Sequence, residues 1–442
     1  MNRVVLFLVV LVVAGMSFLS CGGYSSSTYR PPSGVTTRVL ASQGVASPTS
    51  QPGLVLIDGA VDVLARGGIG AGTSPGLMAI SPNRTTLLAF DSVSNGVAVI
   101  NARTETSTGA IQLAGPTTSM VALASGFGYA AVPAAIVNGS PTGGVEVMNL
   151  TGGGITRTIS VPNAQTVVAS PDGTQLLVFS GDSQVSHVVT IVYPLLVNTG
   201  NPVTATVSGF DSPVYGVFSA DGSTAYILNC GGQCGGTQAS VQILDLTTTP
   251  PIAGALVPVN GATIGFLAGS TLYVAGKGTP TGPRCASLTN AAPTAAQFCG
   301  TLDLVDLTTM QDPYFNNPAA EIAITDGYHN RIDMSSNGQL FVGSYGCTTV
   351  GNVNNPQGEV RGCLSIFDTT KAGNTSAVIP PDNGDVTGLQ SFTTRYVEYV
   401  AEGGNLRVYD TTKDSLLLNS IISTGTINIT GQIIDVKAID FF

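Results

Sequence analysis

The sequence predicts an all-β fold: a single β-propeller of four-stranded antiparallel blades, eight by repeat count and seven as the alternative, closed by a composite blade made from both chain ends. Three observations carry this expectation. A strand-turn-strand unit recurs, a later strand ends each time in Asp or Asn, and the two termini hold complementary parts of one repeat.

The recurring unit is an alternating apolar strand followed by a tight polar turn. The turns are Ser81-Pro82-Asn83-Arg84, Ser170-Pro171-Asp172-Gly173, Ser219-Ala220-Asp221-Gly222 and Ser335-Ser336-Asn337-Gly338. Asp-Gly and Asn-Gly supply the backbone freedom that a hairpin connection requires. A second apolar strand follows each turn, as in Leu176-Leu177-Val178-Phe179 and Ala225-Tyr226-Ile227-Leu228.

The third strand ends at Asp58, Asn101, Asn149, Asp245, Asp306, Asp368 and Asp410, at intervals of 43, 48, 96, 61, 62 and 42 residues. The 96-residue interval is twice 48, and Thr190-Ile191-Val192-Tyr193 fills it as a degenerate copy, which brings the number of third strands to eight. Short strands at this period are the signature of blades arranged around an axis. A ring also protects the sheet edges that an open stack exposes. The first repeat begins midway: Arg38 to Ser42 reads as a second strand, Leu54 to Asp58 as a third and Val61 to Ala65 as a fourth. The missing first strand is expected from Ile433 to Ile439, at the opposite end of the chain.

Composition agrees with one large apolar fold. Of 442 residues, 43% are hydrophobic and 10% charged, and mean hydropathy is +0.33, so the chain can bury an extensive core. Fifty-five Gly and 25 Pro fit many turns. A net charge of −10, with only 16 Lys plus Arg, provides no basic stripe for phosphates and argues against a nucleic-acid partner.

The amino terminus reads as an export address. Arg3 precedes an apolar run from Val4 to about Leu19, short for a membrane span and suited to a signal peptide over residues 1–20. Phe18-Leu19-Ser20-Cys21 resembles the lipobox of bacterial lipoproteins, which implies cleavage before Cys21 and lipidation of that residue. An uncleaved anchor or an ordinary secretory signal is the competing reading. Residues 21–37 then form a tether with a reach of roughly 20 Å, and the propeller occupies 38–442. Gly22 lacks the Asp that in similar lipoproteins signals inner-membrane retention, so the expected location is the periplasm or cell surface, with the outer membrane favoured.

The turn and third-strand motifs are similar to those of the YVTN-type surface and periplasmic β-propeller family, over about residues 38 to 442. The nearest form of that family's namesake string is Tyr226-Ile227-Leu228-Asn229. The resemblance implies the architecture. Roles in related propellers run from adhesion and binding to lactone hydrolysis, so it leaves the activity open.

Six cysteines follow Cys21. The repeat parsing pairs Cys230 with Cys234, Cys285 with Cys299 and Cys347 with Cys363, each pair between the second and third strands of one of three consecutive blades. Cys230 and Cys234 also have loose zinc-ligand spacing, but no His lies near them, and no metal or cofactor is expected. The enlarged loops near 133–144, 229–240, 276–300 and 346–362 should crowd one rim. This suggests a non-catalytic binding, adhesion or protein-interaction scaffold, membrane-bound through its lipid and directed at a surface protein or glycan.

The enzyme alternative, a lactonase-like hydrolase, rests on the central channel. His329, Arg331 and Asp333 stand out in a first strand whose counterparts are bland, and strand alternation places all three on one face. That face either lines the channel, as a site for an anionic ligand or acid-base chemistry, or lies between blades as a structural ion pair. Asp382-Asn383-Gly384-Asp385 could bind calcium but lacks the remaining ligands of a recognisable loop.

Overall fold

The computed structural model describes residues 30–44, 53–183, 186–196, 203–278, 299–317, 319–347, 350–351, 360–380 and 384–439. Its repeat starts from a bend that its own side chains hold. In the four turns the Ser hydroxyl donates to the Asn or Asp two residues on, at 2.6 to 2.8 Å, and accepts an N–H from the start of the next strand at 2.9 to 3.1 Å. The fourth residue has positive φ in every copy: Arg84 at +54°, Gly173 at +68°, Gly222 at +70° and Gly338 at +82°. Glycine removes the strain of that conformation in three of them. In the third turn, hydrogen bonds from Ser219 and Ser223 hold the Asp221 carboxyl down at about 2.

The Asp or Asn that ends seven of the eight third strands has an equally local reason. Its carboxyl or amide oxygen accepts the backbone N–H two residues later, as in Asn101 with Arg103 (2.9 Å), Asp245 with Thr247 (2.9 Å), Asp368 with Thr370 (2.9 Å) and Asp410 with Thr412 (2.9 Å). Such turns terminate a strand and aim the chain into the next one.

The strands assemble into eight antiparallel blades, which settles the count in favour of eight over seven. From blade 1 to blade 8 the innermost strands are Gln432–Ala438, Pro75–Ile80, Ser119–Ala122, Ala164–Ala169, Pro213–Phe218, Ile264–Ala268, Tyr328–Met334 and Val386–Ser391. Six blades have four full strands. In blade 7 the fourth position is reduced to a bridge between Ile366 and Val378, and in blade 8 it is divided between Ser415–Leu416 and Thr426–Ile427. The degenerate copy in blade 4 is a true third strand, Val188–Val192.

The apolar core lies between blades. Eight clusters of buried residues fill the eight gaps, and the one closing the ring joins Val39, Ala41, Ile433 and Val436 of blade 1 to Phe392, Tyr399 and Val408 of blade 8. Each fully buried Val, Ile or Phe stabilises by roughly 1.5 to 3 kcal/mol, so opening any gap exposes far more than one hydrogen bond can offset.

Ring closure follows the expected composite blade. Val39 pairs with Ala438, Ala41 with Val436 and Ser42 with Asp435. A second latch crosses the same seam: the Arg395 guanidinium of blade 8 donates two bonds of 2.7 Å to the Asp62 carboxylate of blade 1, which also accepts from the Tyr399 hydroxyl.

The segment expected as a free tether is docked where it is described. Ser33 donates from its N–H (2.7 Å) and hydroxyl (2.8 Å) to Glu105, and Val35 is buried between blades 1 and 2. Glu105 also receives Arg38, in an ion pair at 2.9 Å that is almost wholly enclosed. Residues 1–29, including Cys21, lie outside the described residues. Among the described residues no helix is long and apolar enough to cross a membrane.

Candidate functional site

The innermost strands carry a shared irregularity that decides where their side chains go. A bulge interrupts the pairing of first and second strands around Gly76, Gln165, Val214 and Asn330, each five residues before the turn serine of its blade. Blades 1 and 8 have the same shift. A bulge inserts an unpaired residue and reverses the alternation beyond it.

In blade 7 this divides the trio. His329 pairs with Ser344 and Arg331 with Gly343, so the two side chains occupy opposite faces, while Asp333 shares the face of Arg331. The expectation of one common face is corrected by the bulge at Asn330. His329 turns toward blade 6, fully buried, and its Nε2 lies 2.8 Å from the carbonyl of Thr325. A carbonyl only accepts, so Nε2 carries a proton, and Nδ1 has no partner among the described residues. Burial pushes the imidazole down to about 4, although the Thr325 bond and nearby Asp326 favour the charged form. The ring is therefore neutral near pH 7.

Arg331 and Asp333 turn toward blade 8. Arg331 donates Nε to the carbonyl of Thr387 (2.6 Å) and Nη1 to that of Asn330 (2.9 Å). Asp333 accepts the N–H of Ser391 (2.8 Å) and of Met334 (2.8 Å). Behind it, burial holds the Glu398 carboxyl well above the usual carboxylate range, and the charge of Asp333 adds to that shift.

A cavity of about 520 Å³ opens in the channel between the inner strands of blades 4, 5 and 6. Val168, Val217, Phe218, Phe266 and Leu267 form its apolar wall, with Tyr215 as the polar group, and Pro171, Ala220 and Gly269 place its mouth on the face of the first turns. Tyr215 was not singled out by sequence, because Pro213 to Phe218 reads as an ordinary strand. The available signal was register: Tyr215 and Arg331 each lie four residues before the turn serine, just past the bulge.

The opposite face carries the stapled loops. Cys230 is bonded to Cys234 and Cys347 to Cys363, both as expected. Cys299 begins the third strand of blade 6, whereas its expected partner Cys285 is outside the described residues. Connections between blades grip these loops. Asp211, entering blade 5, accepts the N–H groups of Thr237 (2.8 Å) and Gln238 (2.9 Å). Partial burial works against ionisation of Asp211, yet the Thr237 hydroxyl, which also donates to it, and these N–H groups bring its pKa below the ordinary value. Asp385, entering blade 8, accepts the N–H of Gly346 at 2.8 Å. Asp382 and Asn383 are outside the described residues. Among the described residues no group of three or more His, Cys, Asp or Glu is placed to hold a metal.

No protein-family model matches the sequence, and no curated protein matches it. Among solved structures the chain is similar to the dihydro-heme d1 dehydrogenase NirN in complex with DHE, at TM-score 0.57 and 10% identity over 92% of this chain and 75% of that one. It is similar also to a putative 6-phosphogluconolactonase from Bacteroides fragilis, at TM-score 0.50 and 10% identity over 91% and 97%. A third likeness is the computationally designed protein Ika8, at TM-score 0.50 and 10% identity over 84% and 96%. At such identities the likeness shows the propeller fold alone.

Proposed function

We propose that this chain is an exported binding module of the cell envelope, a lipoprotein of the YVTN-propeller kind that uses its stapled rim to hold a surface protein or glycan. The observation that carries the reading is the bracing of that rim. Two disulfides close enlarged loops on themselves, and the carboxylates of Asp211 and Asp385 tie those loops to the connections of a closed ring. Loops fixed on a rigid scaffold lose less entropy on binding than mobile ones. Disulfides of this kind fit an oxidising compartment, and Cys21 supplies the anchor.

The polar groups of the blade 7 strand favour binding over the lactonase-like alternative. His329 is neutral and sealed between blades, and Arg331 and Asp333 bond mainly to backbone. A hydrolase needs an acid or base within reach of a substrate.

The test pairs two assays on purified protein. In the first, the wild type and a variant with residues 348–361 replaced by a short Gly-Ser linker are sedimented with isolated envelope glycan. Loss of co-sedimentation in the variant supports the rim. In the second, lactone and ester hydrolysis is followed with His329→Gln and Arg331→Gln; turnover that these variants abolish while the fold persists would overturn the binding reading. Partitioning into detergent that disappears in Cys21→Ser checks the anchor.

A further inference from the structure

We propose that the stapled rim carries a carbohydrate subsite between blades 7 and 8, where the rings of Tyr328 and Tyr345 and the carboxylate of Asp385 take one residue of a neutral, glucose-configured glycan. This rests on the reading of the rim as the binding face and narrows its ligand to a sugar.

Strand register builds the aromatic pair. Tyr328 opens the inner strand of blade 7 and lies directly opposite Tyr345, at the end of the second strand, so the two side chains share a face. Phe341, on the same face of the second strand, clusters with Val386 and Leu389 of blade 8, so that face looks toward blade 8. The two ring centroids are 5.4 Å apart, with the planes inclined by 40°. Gly327 lets the connection into blade 7 lie against the stapled loop. Its φ is +93°, and a Cβ there would stand 2.6 Å from the Tyr345 carbonyl oxygen and 3.0 Å from the backbone nitrogen of Cys347. Cys347 in turn is held by its disulfide to Cys363, so the pair sits on a braced part of the rim.

The chemistry gathered there is that of a sugar site. Tyr345 is 45% exposed, and the electron-rich face of an aromatic ring attracts the weakly positive C–H groups on the flat side of a pyranose. Neither tyrosine hydroxyl makes a hydrogen bond among the described residues, and burial holds that of Tyr328 up at about 12, so it remains a donor. Asp385 is exposed where the chain enters blade 8. Its Oδ1 accepts the N–H of Gly346, the residue after Tyr345, at 2.8 Å, and its Oδ2 has no hydrogen-bond partner among the described residues. A pyranose offers C–H groups on its faces and hydroxyls around its edge, which a ring flanked by a phenol and a carboxylate complements. The glucose configuration keeps every ring hydroxyl equatorial, whereas an axial one would stand against the tyrosine. Arg331 lies deeper on the same face, its guanidinium drawn to the carbonyls of Thr387 and Asn330, so the exposed charge beside the rings is the carboxylate, which repels a sugar acid. A patch of one exposed ring and one carboxylate is far smaller than the roughly 1,000 Å² that a stable protein interface buries, and it matches a single sugar ring.

The test uses the full chain and isothermal titration calorimetry with three β-1,4-linked hexasaccharides: cellohexaose, the mannose hexamer, which has an axial hydroxyl on each residue, and the glucuronic acid hexamer, which is anionic. Cellohexaose should bind saturably and the other two more weakly. Tyr345→Ala should weaken cellohexaose about tenfold, while Tyr345→Phe, which keeps the ring, should stay within about threefold of wild type. Asp385→Asn retains an acceptor for the Gly346 N–H, so it should weaken cellohexaose several-fold without loosening the loop. The proposal is overturned if the wild type fails to bind cellohexaose, if either of the other hexamers binds as tightly, or if Tyr345→Ala binds like wild type. Envelope co-sedimentation that depends on residues 348–361, with no binding of cellohexaose, would overturn the sugar subsite alone. Tyr345-dependent binding of cellohexaose, with no co-sedimentation of the wild type, would overturn the wider rim reading alone.

Discussion

The buried imidazole of His329 makes the strongest quantitative demand on the fold. Its pKa is lowered from 6.5 to about 4, so between those values the unfolded chain binds a proton that the folded chain refuses. The contribution of His329 to stability is therefore intact above about pH 6.5, declines as pH falls toward 4, and is constant below that. A depression of this size, at 1.36 kcal/mol for each pH unit, corresponds to a loss of about 2 to 3 kcal/mol between pH 7 and pH 4.5. His329→Gln is the matching perturbation, because a glutamine amide can still donate to the Thr325 carbonyl but does not titrate. Urea-unfolding midpoints of both proteins, measured from pH 7 to 4.5, should converge or cross as the wild type loses stability faster. Other acid-sensitive groups cancel in the difference. A difference between the two proteins that stays flat over this range would refute the argument that His329 is neutral, unsolvated and lacking an acceptor for a second proton.

Three further perturbations probe the ring. Asp62→Ala removes the acceptor of Arg395 and Tyr399 at the closing seam and should cost about 3 kcal/mol; a thermal midpoint within a degree of wild type would show that the latch is dispensable. Truncation after Thr430 deletes the innermost strand of blade 1, with buried Ile433, Val436 and Ala438, and should abolish the single cooperative transition seen by near-ultraviolet circular dichroism. A truncated chain with an unchanged transition would contradict ring closure by that strand. In Gly300→Ala the new Cβ would stand 2.5 Å from His329 Cε1, 2.7 Å from the Thr325 carbonyl oxygen and 2.8 Å from that of Gly276. Backbone cannot yield as a side chain does, so a loss of about 1 to 3 kcal/mol is expected in the same urea assay, and no loss would mean the blade 6 strands shift freely.

The architecture was legible because its repeating parts are held locally. Ser219 and Asp221, or Asp245 and Thr247, bond within two or three residues of each other, and those bonds recur in the same residue types around the ring. The cysteine pairs Cys230 with Cys234 and Cys347 with Cys363 were legible through the same parsing. The channel was not. Gly76, Gln165, Val214 and Asn330 mark the same bulge with four unrelated side chains, so no residue type announces it. Without it, alternation groups His329 with Arg331; with it, they part toward different blades.

The amino-acid sequence by itself determined the repeat and the strand that the tail lends to the head, and left the blade count at eight or seven, because turn chemistry and apolar alternation act over a few residues and leave their mark in the order of the chain. Tertiary structure alone decided which side chains meet. The direction of a side chain beyond a bulge and the seal around His329 depend on how separate sheets stack around a common axis, and residues far apart in the chain carry no local sign of such contacts.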